Sequence, residues 1–213
     1  INMLNSVQLT DTNATGQVGV AVKGTGAGLT VAGVSVVGSK NIGIYNETTG
    51  AVTNNGALNV ADSTGDSSIG IYSQGGTVTS TGNATIGKNS VGIYGKDAGA
   101  KLSGDMTVDE KGVGLYVDND TTKPTVNTEI TGKLEVGNNG TIGIQATNSN
   151  VKLGGDLTVG DNDSKGIFSK GAGKIETGGN IAVGKDSVGI YKEGAGKIET
   201  AAGKTLTVAE KGF

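Results

Sequence analysis

The sequence contains no cysteine, no histidine and no arginine. Without cysteine the chain can form no disulfide and offers neither a thiolate nucleophile nor a sulfur ligand for a metal. Without histidine it lacks Ser-His-Asp triads and histidine-ligated zinc sites. The absence of arginine removes the forked donor that often holds phosphate and carboxylate groups. We therefore predict a protein that is not an enzyme and that holds no metal and no cofactor.

Apolar and aromatic residues are also scarce. Hydrophobic residues make up 34% of the 213 positions and aromatic residues 3%, beside 40 glycines and one proline. An ordinary globular domain has more apolar material, so we expect a narrow core filled by a few side chains per structural unit. The net charge of −3 gives no basic face for nucleic acid. No apolar run approaches the roughly 18 residues that a membrane-spanning helix needs.

What the sequence does contain is a repeat. Ser90–Tyr94 (SVGIY) returns with small changes as Asn41–Tyr45, Ser68–Tyr72, Gly112–Tyr116 and Ser187–Tyr191. Weaker copies centre on Gly19, Gly143 and Gly166, and another copy begins at Gly212. The steps from one central glycine to the next are 24, 27, 22, 22, 29, 23, 23 and 23 residues. A unit of this length that recurs from end to end is typical of a stacked-repeat protein.

Each unit contains three short strands. In the unit that begins at Val91, residues 91–94, 100–103 and 106–108 alternate apolar and polar side chains, and turns rich in glycine and aspartate separate them. We predict an all-β fold, a right-handed parallel β-helix of about nine coils of 22–23 residues that forms one continuous body over residues 1–213. Like positions then stack about 4.8 Å apart. The predicted core columns are Ile44, Ile71, Ile93, Leu115, Ile144, Ile167 and Ile190, and Val60, Ile86, Val108, Val136, Val159, Val183 and Val208.

Two units are longer than the others. Residues 62–68 replace a four-residue turn, and residues 118–128 add about six residues after Tyr116. Insertions in a solenoid form surface loops, often on the working face. The candidate ligand-binding residues of the second loop are Asp118, Asn119, Asp120 and Lys123. The alternative is an insertion that is disordered or merely tolerated.

All five tyrosines occupy one position of the repeat. Because the preceding isoleucine points inward, alternation along the strand turns this column outward. Tyr72, Tyr94 and Tyr116 are therefore candidate contacts for a sugar or a receptor. The alternative, which we favour, is a stacked ladder that stabilises the sheet and covers an adjacent, outward column of glycines.

Two groups of polar residues suggest turns. A column that precedes the third strand contains Asn83, Asp105, Asp156 and Asn180. We expect these residues to form left-handed turns, because asparagine and aspartate tolerate that conformation. The segments 118–120 and 161–163 both read Asp-Asn-Asp and cluster the oxygens that Ca²⁺ prefers, but they lack the spacing of an EF-hand loop. We expect solvated turns there as well.

One carboxylate pair keeps an enzymatic alternative open. Glu176 and Glu199 would stack one coil apart, about 5 Å from each other, which is a separation used in glycoside cleavage. Lys174 and Lys197 lie beside them, which favours a solvated ladder of charges. A β-helical polysaccharide-degrading enzyme is therefore the weakest of the functions that we consider.

The repeats resemble the passenger regions of large autotransporter adhesins, particularly those of fusobacteria and their relatives. The likeness rests on the SVGIY lines, on second strands such as Lys174–Thr177 (KIET), on third strands such as Leu157–Gly160 (LTVG) and on the use of lysine alone as the basic residue, and it covers essentially the whole chain. The resemblance implies a secreted stalk at the bacterial surface, anchored through a C-terminal outer-membrane barrel outside this segment. The chain begins at Ile1 without a leader, which fits a segment of a longer protein.

The same resemblance implies attachment or coaggregation, with a host-cell receptor, a surface glycan or a partner bacterial surface as the binding partner. Two other hypotheses stand beside this one. The chain is a spacer whose adhesive residues lie elsewhere in the parent protein, or it is the enzyme described above.

Overall fold

The computed structural model describes all 213 residues and consists of strands and turns. It contains no helix that is long and apolar enough to cross a membrane. The 25 strands form three parallel sheets of nine, eight and eight strands, and the chain visits each sheet once per coil. The fold is therefore the predicted right-handed parallel β-helix of about nine coils with three short strands in each.

The strands of each sheet follow one another at intervals of three along the chain. Sheet 1 contains β2 (Val18–Val22), β5 (Ile42–Asn46), β8 (Ile69–Gln74), β11 (Val91–Lys96), β14 (Val113–Asp118), β17 (Ile142–Thr147), β20 (Lys165–Lys170) and β23 (Val188–Glu193). Sheet 2 contains β3 (Leu29–Val31), β6 (Val52–Asn54), β9 (Val78–Ser80), β12 (Ala100–Leu102), β15 (Val126–Ile130), β18 (Ser149–Leu153), β21 (Ile175–Thr177) and β24 (Ile198–Thr200). Sheet 3 contains β1 (Val7–Leu9), β4 (Val34–Val36), β7 (Leu58–Val60), β10 (Ala84–Ile86), β13 (Met106–Val108), β16 (Leu134–Val136), β19 (Leu157–Val159), β22 (Ile181–Val183) and β25 (Leu206–Val208).

The core contains the predicted columns of stacked side chains except in the last coil, where the prediction is wrong for Val208, which is 40% exposed, and Ile190 is only partly buried, because no further coil covers them. Ile93 pairs with the residue at the same position in the coils on either side, Ile71 and Leu115. In sheet 3, Ile86 pairs in the same way with the valines at positions 60 and 108. A single cluster of 34 buried hydrophobic residues runs through the molecule. Because a coil buries its side chains largely against its neighbours, the stability of the core is shared between adjacent coils.

The glycine at the centre of each first strand faces the core, so the expected outward glycine column is wrong. A Cβ added to Gly92 would lie 2.6 Å from the carbonyl oxygen of Gly114 and 2.7 Å from Cδ1 of the core residue Ile86. The sheet 1 ladder pairs Val91 and Ile93 with the next coil but omits the glycine between them. Gly92 and Ile93 therefore both point inward, and this break in the alternation turns Val91 outward.

The column of asparagine and aspartate before the third strand joins successive coils. The backbone N–H of Asp105 donates to Oδ1 of Asn83 at 3.0 Å, and the N–H of Lys133 donates to Oδ1 of Asp105 at 2.8 Å. The expected left-handed turn conformation is wrong for this column. Most non-glycine residues with a left-handed conformation, such as Asn89 with φ 53°, lie instead in the turns between sheets 3 and 1. The side chains of the column are held by the next coil because each one reaches an unpaired backbone N–H there.

The two insertions lie at opposite ends of the strands of sheet 1. Residues 61–68 connect β7 in sheet 3 to β8 in sheet 1, and residues 119–125 connect β14 in sheet 1 to β15 in sheet 2. The predicted bounds 118–128 of the second loop were too wide. Asp118 ends β14 in register with Lys96, and β15 already begins at Val126.

Candidate binding surface

The outer face of sheet 1 contains three parallel columns of outward side chains. The first is mainly aliphatic and consists of Val18, Ile42, Ile69, Val91, Val113, Ile142, Lys165 and Val188. The second is mainly aromatic and consists of Ala21, Tyr45, Tyr72, Tyr94, Tyr116, Gln145, Phe168 and Tyr191. The third carries charges and consists of Lys23, Glu47, Gln74, Lys96, Asp118, Thr147, Lys170 and Glu193. We call these the aliphatic, aromatic and charged columns.

Sequence reasoning missed the aliphatic column. Strict alternation would place Val91 inward together with Ile93, whereas the structure leaves Val91 partly exposed and buries Ile93 completely. One signal in the sequence could have revealed the column, because Lys165 occupies the same position. A lysine is almost never fully buried without a partner, so this position had to face outward.

The aromatic column brings the candidate residues Tyr72, Tyr94 and Tyr116 together. The ring centroids of Tyr72 and Tyr94 are 5.2 Å apart, and those of Tyr94 and Tyr116 are 4.7 Å apart. Tyr45 stacks on Tyr72 at 5.0 Å with an interplanar angle of 13°. The Tyr72 and Tyr94 rings meet edge to face at 83°, and the Tyr94 and Tyr116 rings are tilted by 44°, so only Tyr45 and Tyr72 stack face to face in this ladder. The column therefore presents tyrosine hydroxyl groups and partly uncovered rings to solvent.

Gln145 interrupts the aromatic column and divides it into two ladders. Phe168 stacks on Tyr191 with a centroid distance of 5.2 Å and an interplanar angle of 13°. In the register of the sheet, Gln145 lies between Tyr116 and Phe168. Each of these two rings therefore has no aromatic neighbour on the side of Gln145.

The tyrosines of the column differ in acidity. The Tyr45 hydroxyl donates a hydrogen bond to the Glu47 carboxylate, which together with burial raises the pKa of Tyr45 to about 12. The same bond, aided by Lys23 at 3.3 Å, lowers the pKa of Glu47. Burial raises the pKa of Tyr72 and of Tyr94. The hydroxyl groups of these three residues are therefore neutral hydrogen-bonding groups at physiological pH.

The loop 119–125 is fixed by hydrogen bonds to the neighbouring coil. The buried side chain of Asn119 donates from Nδ2 to the carbonyl oxygens of Pro124 and Asn148, each at 3.0 Å. Asn148 Nδ2 donates in return to the carbonyl oxygens of Asp120 at 2.8 Å and Lys123 at 2.9 Å. Asn119 is therefore a structural residue of the loop, and its side chain is not available to a ligand.

A charged contact also holds this loop to the preceding coil. Lys123 Nζ lies 2.6 Å from Oδ2 of Asp97, and the backbone N–H of Asp120 donates to Oδ1 of the same carboxylate at 2.9 Å. The hydrogen bond from Lys123 is the main reason that the pKa of Asp97 is lowered. Asp118 lies apart from this contact, in the charged column. The four candidate residues of the loop thus divide into one buried residue, two residues at the loop surface and one residue of the sheet.

The remaining acidic candidates have local partners. Oδ1 of Asp161 accepts a hydrogen bond from the backbone N–H of Lys185 at 2.7 Å. No group of three or more aspartate and glutamate side chains is arranged to hold a metal ion. Glu176 pairs with Glu199 in register, and Lys174 donates to Glu176, which raises the pKa of Lys174. A shallow cleft of about 290 Å³ lies along this pair.

The largest concavity lies on the outer side of sheet 3. It has a volume of about 750 Å³ and is open to solvent. Its lining includes Asp62, Thr85, Thr107, Asp109 and Glu135. This concavity was not predicted from the sequence, because its residues come from successive coils and share no local motif.

Comparisons with protein-family models, with curated protein sequences and with solved structures gave no match. Among the surfaces of the molecule, the outer face of sheet 1 is distinguished by strands of five or six residues, and its columns continue through all eight of them.

Proposed function

We propose that the chain is a segment of a bacterial cell-surface adhesin, an elongated stalk that takes part in attachment to host cells or to other bacteria. The observation that carries this proposal is the unbroken stacking of the coils. Nine strands follow one another in sheet 3, and at about 4.8 Å per step they span about 40 Å. A body of this kind lengthens by adding coils, without a new core for each increment of length. Such a design suits the display of contact residues at a distance from the cell.

Two features of the body are suited to contact with a glycan or a protein receptor. The aromatic column offers a row of tyrosine hydroxyl groups beside an aliphatic strip, which together provide hydrogen bonds and apolar surface. The loop 119–125 follows the C-terminal end of β14 in the same sheet and exposes Asp120 and Lys123. A sugar can stack on an aromatic face beside Gln145, because Tyr116 and Phe168 have no aromatic neighbour on that side.

The test is attachment of the purified chain, coupled to fluorescent beads, to host epithelial cells and to partner bacteria. In the loop variant, residues 119–127 are replaced by the three-residue turn that occupies positions 97–99 of the preceding coil. This replacement keeps Asp118 and Thr128 in register with their neighbours. In the surface variant, Tyr94 and Tyr116 are changed to serine. We expect attachment by the unmodified chain and a loss of at least tenfold in one of the two variants.

The spacer function is the second candidate, and the aromatic column favours it. Rings that pack against each other on adjacent strands stabilise the sheet whether or not a ligand is present. If the unmodified beads attach to neither cell type, or if both variants attach as well as the unmodified chain, the adhesive part of the proposal fails and the spacer function stands.

A further inference from the structure

The charged column of sheet 1 has a symmetry that the fold itself does not require. Read from the first strand of the sheet to the last, it contains Lys23, Glu47, Gln74, Lys96, Asp118, Thr147, Lys170 and Glu193. If the same column of a second copy lies opposite the first and runs in the opposite direction, every charged residue faces a residue of the opposite charge. Lys23 meets Glu193, Glu47 meets Lys170, and Lys96 meets Asp118, while Gln74 meets Thr147.

The charges at the centre of the column have no partner within the chain. Lys96 and Asp118 are in register on adjacent strands, yet neither takes part in any of the seven ion pairs of the molecule. At the ends of the column, Lys23 lies 3.3 Å from Glu47 and Lys170 lies 3.5 Å from Glu193. A reversed copy would add opposite charges at the ends and would give the central pair its only partners.

The centres of the two other columns fit the same arrangement, whereas near their ends Lys165 would lie opposite Ile42. A two-fold axis that lies parallel to the strands, between β11 and β14, turns the outer face of sheet 1 onto itself with each column opposite the same column. Val91 then meets Val113, and Tyr94 meets Tyr116. A two-fold axis along the length of the solenoid would instead place the charged column opposite the aliphatic column. The chemistry of the face therefore favours two solenoids that run antiparallel.

We propose that the outer face of sheet 1 binds a second copy of this chain, with the two solenoids antiparallel and Lys96 of each copy paired with Asp118 of the other. Because it concerns association of the purified chain alone, the proposal does not depend on attachment to another cell.

The area of the outer face of sheet 1 determines how strongly the two copies are expected to bind each other. Eight strands of about six residues cover roughly 34 Å by 18 Å, or about 600 Å² per copy. The total of about 1,200 Å² lies at the lower end of the range for specific protein interfaces. The dimer should therefore be weak and reversible, and its central ion pairs should make it sensitive to salt.

The first test uses charge reversal and sedimentation velocity. The unmodified chain should form a dimer in low-salt buffer that dissociates as salt is added. Lys96→Glu and Asp118→Lys should each weaken the dimer at least tenfold, because each creates two contacts between like charges. A mixture of the two variants should form a heterodimer, since the mixture restores both opposite-charge contacts. Circular dichroism of each variant checks that the fold is unchanged.

The second test determines the orientation. The chain has no cysteine, so Gln74→Cys and Thr147→Cys can be introduced separately and joined with a short bismaleimide. The mixture should cross-link between the two variants, and neither variant should cross-link to itself. Three results would overturn the proposal: a monomer at the highest soluble concentration in low salt, a dimer that survives Lys96→Glu unchanged, or cross-linking of Gln74→Cys to itself. The second of these results would indicate association through the ends of the solenoid instead.

Discussion

Gly92 lies at a close approach between two coils. Its missing side chain leaves room for the Gly114 carbonyl oxygen of the next coil and for Cδ1 of Ile86, and the same contact with a glycine carbonyl recurs at 2.5–2.7 Å in the copies at Gly43, Gly70, Gly114, Gly143 and Gly166. The glycine of the repeat is thus a packing residue. A side chain at this position must either push the coils apart or displace the core.

We expect Gly92→Ala to lower the free energy of unfolding by about 1–3 kcal/mol, the usual cost of overpacking a core. Gly65→Ala is the matched control, because the nearest atom to its added Cβ is 3.8 Å away and its φ is not in the left-handed region. Chemical denaturation followed by circular dichroism measures both variants. Equal stability of the two would show that the coils can shift to accept a methyl group, and that the repeated glycine has another cause.

At the scale of single elements, the strands were predictable and their exceptions were not. Alternation and turn residues placed β11, β12 and β13 correctly, to within two residues at each end. The inward pair Gly92–Ile93 escaped prediction because regular alternation cannot show two consecutive inward positions. The network that fixes the loop 119–125 also escaped prediction, because Asn119 and Asn148 are 29 residues apart and belong to different units. The sequence identified the loop as a surface feature, whereas its attachment depends on contacts between coils.

We expect the attachment of this loop to weaken in acid. The pKa of Asp97 is lowered in the folded chain by its bond to Lys123. A carboxylate with a lowered pKa contributes stability above the ordinary aspartate pKa of about 3.9, and the contribution is lost as the pH falls through the lowered value. The NMR shift of the Asp120 amide, which donates to Asp97, should follow this titration.

Two variants check the assignment of that titration. Asp97→Asn should reduce the pH-dependent shift of the Asp120 amide to the part that comes from the carboxyl group of Asp120 itself, and Lys123→Met should move the midpoint of the Asp97 part upward toward the ordinary aspartate value. A midpoint at the ordinary value in the unmodified chain would contradict the ion pair between Asp97 and Lys123.

At the scale of the whole molecule, two coils can replace each other when the residues by which they contact their neighbouring coils are the same. The coil that contains β20, β21 and β22 presents Lys-Ile-Glu-Thr in sheet 2, and the next coil presents the same four residues at 197–200. In sheet 1 the two coils share the inward glycine and isoleucine, with Ile167 in register with Ile190. Each of these two coils can therefore take the other's place on the coil below. A globular core cannot lose a similar segment, because its contacts come from all parts of the chain.

We therefore expect the chain to fold after the removal of residues 166–188, which joins Lys165 to Gly189 and deletes one coil. The register of all three sheets is kept, so the variant should unfold cooperatively and should be shorter by about 4.8 Å, one coil spacing. Circular dichroism and small-angle X-ray scattering measure these two properties. Removal of residues 166–177 is the control, because it deletes half a coil and places strands of sheet 1 against strands of sheet 3. If both deletions fold equally well, the stability of the molecule does not come from the stacking of like positions; if only the whole-coil deletion folds, then the coil is the unit by which this protein sets its length.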